Sequence, residues 1–411
     1  MKKNFYDFFR NYIERARLVI SLAITVVLTT GCQEEKKSQI KIKAQVTAVK
    51  STEWNRLFLK NNGWFGGDGI FGIPMDGKEF LPATDSTITL FTFGDTMIGQ
   101  HDGDTLLKED FRMINNSFGI LRGKKPNSDR ITFHWKTGED NRPLSLFKPE
   151  TVNSKPNDYY WLGDGFVNTE VDSTLYIFAY PVQHKDTTGV GGFGFEQIGV
   201  NLLAIPAGSQ PPFTNHKQIE TPFFDVENQT TFGSAVYVNT KSAGAPNPDG
   251  FIYTYAVSNL DGVKGLLVAR AFSQDFTVFS KWRFWDGNTW VSEMQKASFI
   301  AENVSNEMSV SPLRDGRIVL AYQYFTMSPE VTIQIGKSLV GPFEERKTVY
   351  QTSENEENKS YFTYNAKAYP HLSPVDSLLI SYNVNSLDFL SDILSDPNLY
   401  RPRFLSVPLD N

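Results

Sequence analysis

Four acidic residues stand where carboxylate chemistry could be done. Gly67-Asp68-Gly69 and Gly163-Asp164-Gly165 repeat one short motif, each at the opening of an apolar run. Asn306-Glu307 opens another such run, and Phe93-Gly94-Asp95-Thr96 closes the aromatic run that starts at Ile88. Glycine on either side of a carboxylate lets backbone and ligand approach closely. Each Asp-Gly pair is equally a hairpin turn, and Asp95 equally a turn cap on its own backbone. Cleavage of a glycosidic bond needs one carboxylic acid to protonate the leaving oxygen and one carboxylate on the other side of the ring. Burial or a neighbouring like charge keeps one of them protonated near neutral pH. Asp68, Asp95, Asp164 and Glu307 are therefore the candidate catalytic residues.

Aromatic and amide side chains would supply the rest of a sugar site. Trp64, Phe65, Tyr160, Trp161, Trp282, Trp285 and Trp290 lie beside loops or the starts of apolar runs. Most such rings belong to cores, with one or two left as stacking platforms. Tyr364-Asn365-Ala366-Lys367 and Ser381-Tyr382-Asn383-Val384-Asn385 are dense in hydrogen-bonding groups that suit sugar hydroxyls or simple turns. His371 reads more readily as a structural histidine than as an acid or base. With one cysteine and five histidines, a thiol site or a His-rich metal site is disfavoured, and no cofactor is expected. A structural calcium ion on Asp and carbonyl oxygens is compatible with the composition, although its usual loop pattern is missing. The sequence contains no nucleophile elbow, phosphate loop or dinucleotide fingerprint. A net charge of −6 without a recurring basic patch excludes nucleic acid as the natural partner and suits a neutral glycan.

These residues must be positioned by strands. From Trp64 onward, short apolar runs alternate with Gly, Asp, Asn and Pro, the pattern of an all-β domain. The best helical stretch of that part is Ser386 to Leu394. Five times the chain offers a first strand, an aromatic second strand and a third. The second strands are Ile88–Phe93, Leu175–Tyr180, Phe251–Val257, Ile318–Tyr324 and Leu378–Val384. Five such units predict a five-bladed β-propeller over 56–411. Its first strands would line one channel and bring Asp68, Asp164 and Glu307 to one mouth. A strand near Thr47 would complete the last blade.

The N-terminus reads as a leader. Lys2, Lys3, Arg10, Arg15 and Arg17 precede an apolar run, Leu18 to Thr30, that is short for a membrane span. Leu28-Thr29-Thr30-Gly31-Cys32 resembles a lipoprotein cleavage box, with Leu28 one place further from the cysteine than usual. A transmembrane anchor is the alternative. The expectation is a signal peptide over 1–31, lipid on Cys32 and a flexible tether over 32–55. Gln33-Glu34-Glu35-Lys36-Lys37 resembles the acidic signal that exports lipoproteins of Bacteroidetes-like bacteria, which implies an outer-membrane protein exposed at the cell surface.

Taken together, "GGDGIFGIP", "FTFGDTMIG", "INNSFGIL", "FWDGNTW", "NEMSV" and "YNAKAYPHLS…LLISYNVNS" resemble a family of secreted bacterial proteins long catalogued as domains of unknown function. Part of that family is grouped with glycoside hydrolases, including endo-acting D-arabinan hydrolases. The resemblance covers Trp64 to Leu409. It implies a five-bladed propeller and a glycosidase acting on a polysaccharide, of arabinofuranose type for instance, with Asp68 and Asp95 as the catalytic pair. Glu307 in "NEMSV" also matches a family position. Lys78 to Ser86 looks inserted between the two aspartates. Trp64, Asn116, Trp161, Asn365, Lys367, His371 and Asn383 are the expected substrate contacts. A non-catalytic surface glycan-binding protein with the same cleft is the alternative, and a protein-interaction propeller a third reading.

Overall fold

The computed structural model describes residues 47–103, 106, 111–185, 194–260 and 262–409. The leader, Cys32 and most of the expected tether lie outside them. The chain divides into two compact units. One comprises Met1–Gln45 with His184–Glu196, where Lys185 pairs with Glu196 at 2.6 Å. The other, Val46–Gln183 with Gln197–Asn411, holds all four candidate carboxylates.

This larger unit is all-β. Its five principal sheets are antiparallel, and strands neighbouring in sequence pair in space. The first sheet runs from Phe71–Pro74 through Ile88–Phe93 and Ser117–Arg122 to Ile131–His134. The second is built on Tyr159–Asn168 and Thr174–His184, the third on Thr230–Asn239, Phe251–Leu260 and Val263–Phe272. The fourth begins at Met308–Pro312 and the fifth at Tyr361–Ala368. β-branched and aromatic residues fill these strands because they fit a pleated surface covered on both faces. In Ile88–Phe93 every residue after the first is buried.

Five apolar clusters lie between successive sheets. Ile73, Leu90 and Phe118 of the first sheet meet Leu162, Val167 and Leu203 of the second. Phe166 and Phe178 meet Phe232, Ile252 and Leu267 of the third. Tyr255 and Leu266 then meet Leu320 and Tyr322, and Val319 and Ile333 meet Ala366 and Ile380. The last cluster joins Leu379 and Phe404 of the fifth sheet to Ile70, Phe91 and Leu121 of the first. Each fully buried aliphatic or aromatic side chain in these layers contributes about 1.5–3 kcal/mol.

The structured unit starts before residue 56. Val49–Lys50 pairs with the final strand, Val49 opposite Ser406, and Thr52–Leu57 is a helix that buries Trp54 and Leu57. The tether expected over 32–55 therefore ends earlier among the described residues, because its aromatic and aliphatic side chains have a core to enter. Near the C-terminus the helix is Phe389–Ser395.

Two glycines permit the close approach of the second and third sheets. A Cβ on Gly163 would lie 2.9 Å from the Gly233 carbonyl oxygen, and one on Gly233 would lie 2.3 Å from Cγ of Phe178. Gly233 also has a φ of +100°, which an L side chain rarely adopts. Gly233→Ala is expected to lower stability by about 2–3 kcal/mol through strain and overpacking. The midpoint of urea unfolding reads this directly, and an unchanged midpoint would contradict the packing described.

Candidate active site

Two backbone hydrogen bonds tie the segments that carry Asp68 and Asp95. The Asp68 N–H donates to the Asp95 carbonyl at 3.2 Å, and the Gly94 N–H donates to the Asp68 carbonyl at 2.9 Å. Asp68 lies between the strands Asn62–Gly67 and Phe71–Pro74, and Asp95 between Ile88–Phe93 and Thr96–Gln100. The glycine before Asp95 makes room for the other carboxylate. A Cβ on Gly94 would stand 2.8 Å from Asp68 Oδ1.

The two carboxyls have different partners. Tyr364 donates its hydroxyl to Asp68 Oδ2 at 2.7 Å, and the Asn385 amide donates to that same hydroxyl at 3.3 Å. Burial pushes the Asp68 pKa up, while hydrogen bonds from Tyr364 and Tyr400 and the charge of Lys367 pull against it. Burial and the nearby Asp68 charge push Asp95 up to about 7. The Asn115 amide and the Trp161 indole N–H both donate to Asp95 Oδ1, each at 3.1 Å. With both donors on Oδ1, Oδ2 is the oxygen left to carry a proton.

Asp164 and Glu307 complete the cluster. Asp164 sits at a bulge in Tyr159–Asn168. Its carboxylate accepts the Gly165 N–H at 2.8 Å and, across to the third sheet, the Val236 N–H at 2.7 Å. Burial first, and the Glu307 charge last, push Asp164 up to about 7 against these bonds. Glu307 immediately precedes Met308–Pro312 and is raised by burial and by Asp68, against the attraction of Lys367. Lys367 is buried; its ammonium pairs with Glu307 Oε2 and lies 4.1 Å from the centre of the Phe71 ring. Oε1 of Glu307 would stand 3.4 Å from a Cβ on Gly69, beside Asp68. Among the described residues no group of three or more His, Cys, Asp or Glu is placed to hold a metal ion.

Several expected contacts lie elsewhere. Trp64 is buried, its ring stacked 4.4 Å from that of Phe133, so it belongs to the core. Asn116 is buried and bonds the backbone of Phe147 and Tyr160; its neighbour Asn115 reaches Asp95. His371 is buried against Thr89 at 3.0 Å, and burial pushes it down to about 4. Asn383 donates to the Gly67 carbonyl at 3.3 Å and so braces the residue before Asp68. Asn365 occupies a bulge between Tyr364 and Lys367 with a φ of +59°. That bulge lets both neighbours face the cluster. The Tyr364 hydroxyl comes from the motif Tyr364-Asn365-Ala366-Lys367, whereas Tyr400 is a site group that no short motif announces.

The raised carboxyls make stability pH-dependent. Folding raises the pKa of Asp95 and Asp164 to about 7, so the folded state holds those protons more tightly. The stabilisation is full below the ordinary carboxylate range and is lost as pH rises through about 7. His371, pushed down to about 4, and His134, also lowered by burial, act oppositely as pH falls from their usual value near 6.5, but burial raises Asp68, Glu79 and Glu307 as well, so the carboxyls prevail. The melting temperature is expected to fall between pH 5 and pH 7. A scan by differential scanning fluorimetry that rises over this interval would contradict the burial of these groups, and Asp95→Asn should flatten it.

The fold is shared with a solved structure. A provisionally assigned hydrolase from Bacteroides ovatus ATCC 8483 is similar, with a TM-score of 0.67 at 19% identity over 88% of this chain and 90% of that one. The α-L-arabinofuranosidase of Podospora anserina, solved with cellotriose, has a TM-score of 0.42 at 11% identity, covering 84% of this chain and 96% of that chain. The endo-arabinase of Bacteroides thetaiotaomicron VPI-5482 has 0.40 at 9% identity, covering 83% and 98%. No curated protein matches the chain by sequence. A family model described as a domain of unknown function, DUF5005, matches residues 51–408, and the chain belongs to that family.

Proposed function

We propose that this protein is a glycoside hydrolase, built as a five-bladed β-propeller, that cleaves a polysaccharide with Asp95 as acid and Asp68 as base or nucleophile. The observation that carries this reading is the unequal setting of two joined carboxyls. Asp68 receives hydroxyl donors and faces a lysine, which favour its ionised form. Asp95, pushed up to about 7 and bonded on Oδ1 by Asn115 and Trp161, holds a proton that it can give up. Paired carboxyls whose environments push them apart divide acid from base. The proton of Asp95 passes to the leaving oxygen as the glycosidic C–O bond breaks. The Asp68 carboxylate takes a proton from the attacking water or attacks the anomeric carbon itself. Glu307, Lys367 and Asp164 set the field around the pair.

The test is release of new reducing ends from a panel of arabinans, galactans and other plant and bacterial polysaccharides. Products from at least one member with wild type, and none with Asp95→Asn, support the reading. Binding without product by both would make the protein a glycan-binding one. We further propose that lipid on Cys32 holds the domain at the outer surface, on the strength of residues 28–37. Cys32→Ser should then move the protein from the membrane fraction to the soluble fraction in a detergent partition, and an unchanged partition would count against lipidation.

A further inference from the structure

A second lysine lies beside the cluster, and no carboxylate among the described residues pairs with it. Lys264 belongs to the strand Val263–Phe272. Its ammonium donates to Asn306 Oδ1 at 2.5 Å and to Thr326 Oγ1 at 2.9 Å, two neutral acceptors. Burial pushes its pKa down to about 8, with no opposing charge among the described residues. The contrast with Lys367, which is buried against Glu307, is direct. A desolvated cation without a counter-charge is costly to keep. An ammonium has three donors, and two are used here, so the third remains for a ligand. With its oxygen turned to Lys264, the exposed Asn306 also offers its amide N–H groups.

The backbone around this lysine is strained. Asn303, Phe325 and Thr326 have φ values of +57°, +50° and +70°. Left-handed backbone is unusual for a β-branched or bulky residue and concentrates at functional sites. A hydrogen bond from the Phe325 N–H to the Asn303 carbonyl, 3.0 Å, holds the two strained turns together. It thereby presents the Thr326 hydroxyl to Lys264. Asn306 is the residue before Glu307, so the group adjoins the carboxylate cluster.

We propose that Lys264, Asn306 and Thr326 form an anion subsite at the edge of the active site, and that the glycan cleaved there is acidic, carrying a carboxylate or a sulfate ester near the scissile bond. This rests on the hydrolase reading above. It replaces the neutral glycan expected from net charge, because the local cation, not the summed charge, faces the substrate. By position, the charged residues of the surrounding segments are Glu302, on the strand paired at Gly265, Glu307, which follows Asn306, and Asp261, three positions before Lys264 in the chain. The loop 324–328 brings none.

The test uses calorimetric titration of the Asp95→Asn protein, whose turnover should be slow enough to leave the probes intact during a titration. The probes are an oligogalacturonide, a sulfated galacto-oligosaccharide and a neutral arabino-oligosaccharide of equal length. One acidic probe is expected to bind at least about tenfold more tightly than the neutral one, and which one identifies the anion. Added Lys264→Met should lose that margin and Lys264→Arg keep it. Affinity should fall between pH 7 and pH 9 with Lys264 and stay level with Arg. If the neutral probe binds as well as both acidic ones, and Lys264→Met changes nothing, the subsite is wrong while the hydrolase reading stands. If no sugar binds and the polysaccharide panel yields no product, the hydrolase reading falls and takes the subsite with it.

Discussion

Asp68→Asn and Asp95→Asn are each expected to cut turnover by about 10²–10⁴-fold, the range typical of losing a general acid or base, with little loss of thermal stability. The two carboxyls lie side by side, half-buried, and each is raised in pKa by that desolvation. Neutralising one removes a like charge from the other, so the melting temperature should hold or rise. The remaining activity distinguishes the roles. In Asp95→Asn the basic limb of the pH–rate profile, set near 7 by Asp95, should disappear. In Asp68→Asn the acidic limb should disappear, and the pKa of Asp95 should move down because the Asp68 charge no longer opposes its ionisation. Full turnover by either variant on a substrate the wild type cleaves would end the assignment.

Lys367→Met should be the most destabilising change at the site. Lys367 is 1% exposed, pairs with Glu307 and lowers the pKa of Asp68, Asp164 and Glu307. Removing one partner of a buried pair leaves the other charge uncompensated, at a cost of about 3–5 kcal/mol. Methionine keeps much of the volume over Phe71, so lost packing is a minor part. Urea unfolding of Lys367→Met, Glu307→Gln and the double variant forms a cycle. The double variant should recover part of the stability lost in Lys367→Met, because the stranded carboxylate is gone. A loss below about 0.5 kcal/mol in Lys367→Met would show that water, not the lysine, compensates Glu307. The two experiments separate chemistry from architecture, since the first variants spare folding and the last does not.

Local pattern carried much of the strand structure. Ile88–Phe93 is a run of β-branched and aromatic residues with one leucine, closed by Gly94-Asp95, and it forms a strand with those bounds. Asp68, Asp95 and Asp164 stood out beside glycine and Glu307 at the start of an apolar run; the fold sets Asp68, Asp95 and Glu307 just outside strands and Asp164 at a bulge within Tyr159–Asn168. What local pattern could not supply was facing. Asn115 and Asn116 lie in the link between Arg112–Ile114 and Ser117–Arg122, where no strand period sets direction, so Asn116 holds backbone in the interior while Asn115 reaches Asp95. Trp64 beside a loop looked like a platform, yet Phe133 from another strand covers it.

The residue types and their spacing thus determined an all-β chain with acidic groups at its strand ends. Only the tertiary structure decided how those acids differ. Tyr364 bonds Asp68 from 296 positions away in the chain, and Trp161 bonds Asp95 from 66 away. A carboxyl's pKa answers to burial, charges and donors within a few ångströms, and no sequence window contains neighbours that only folding brings there.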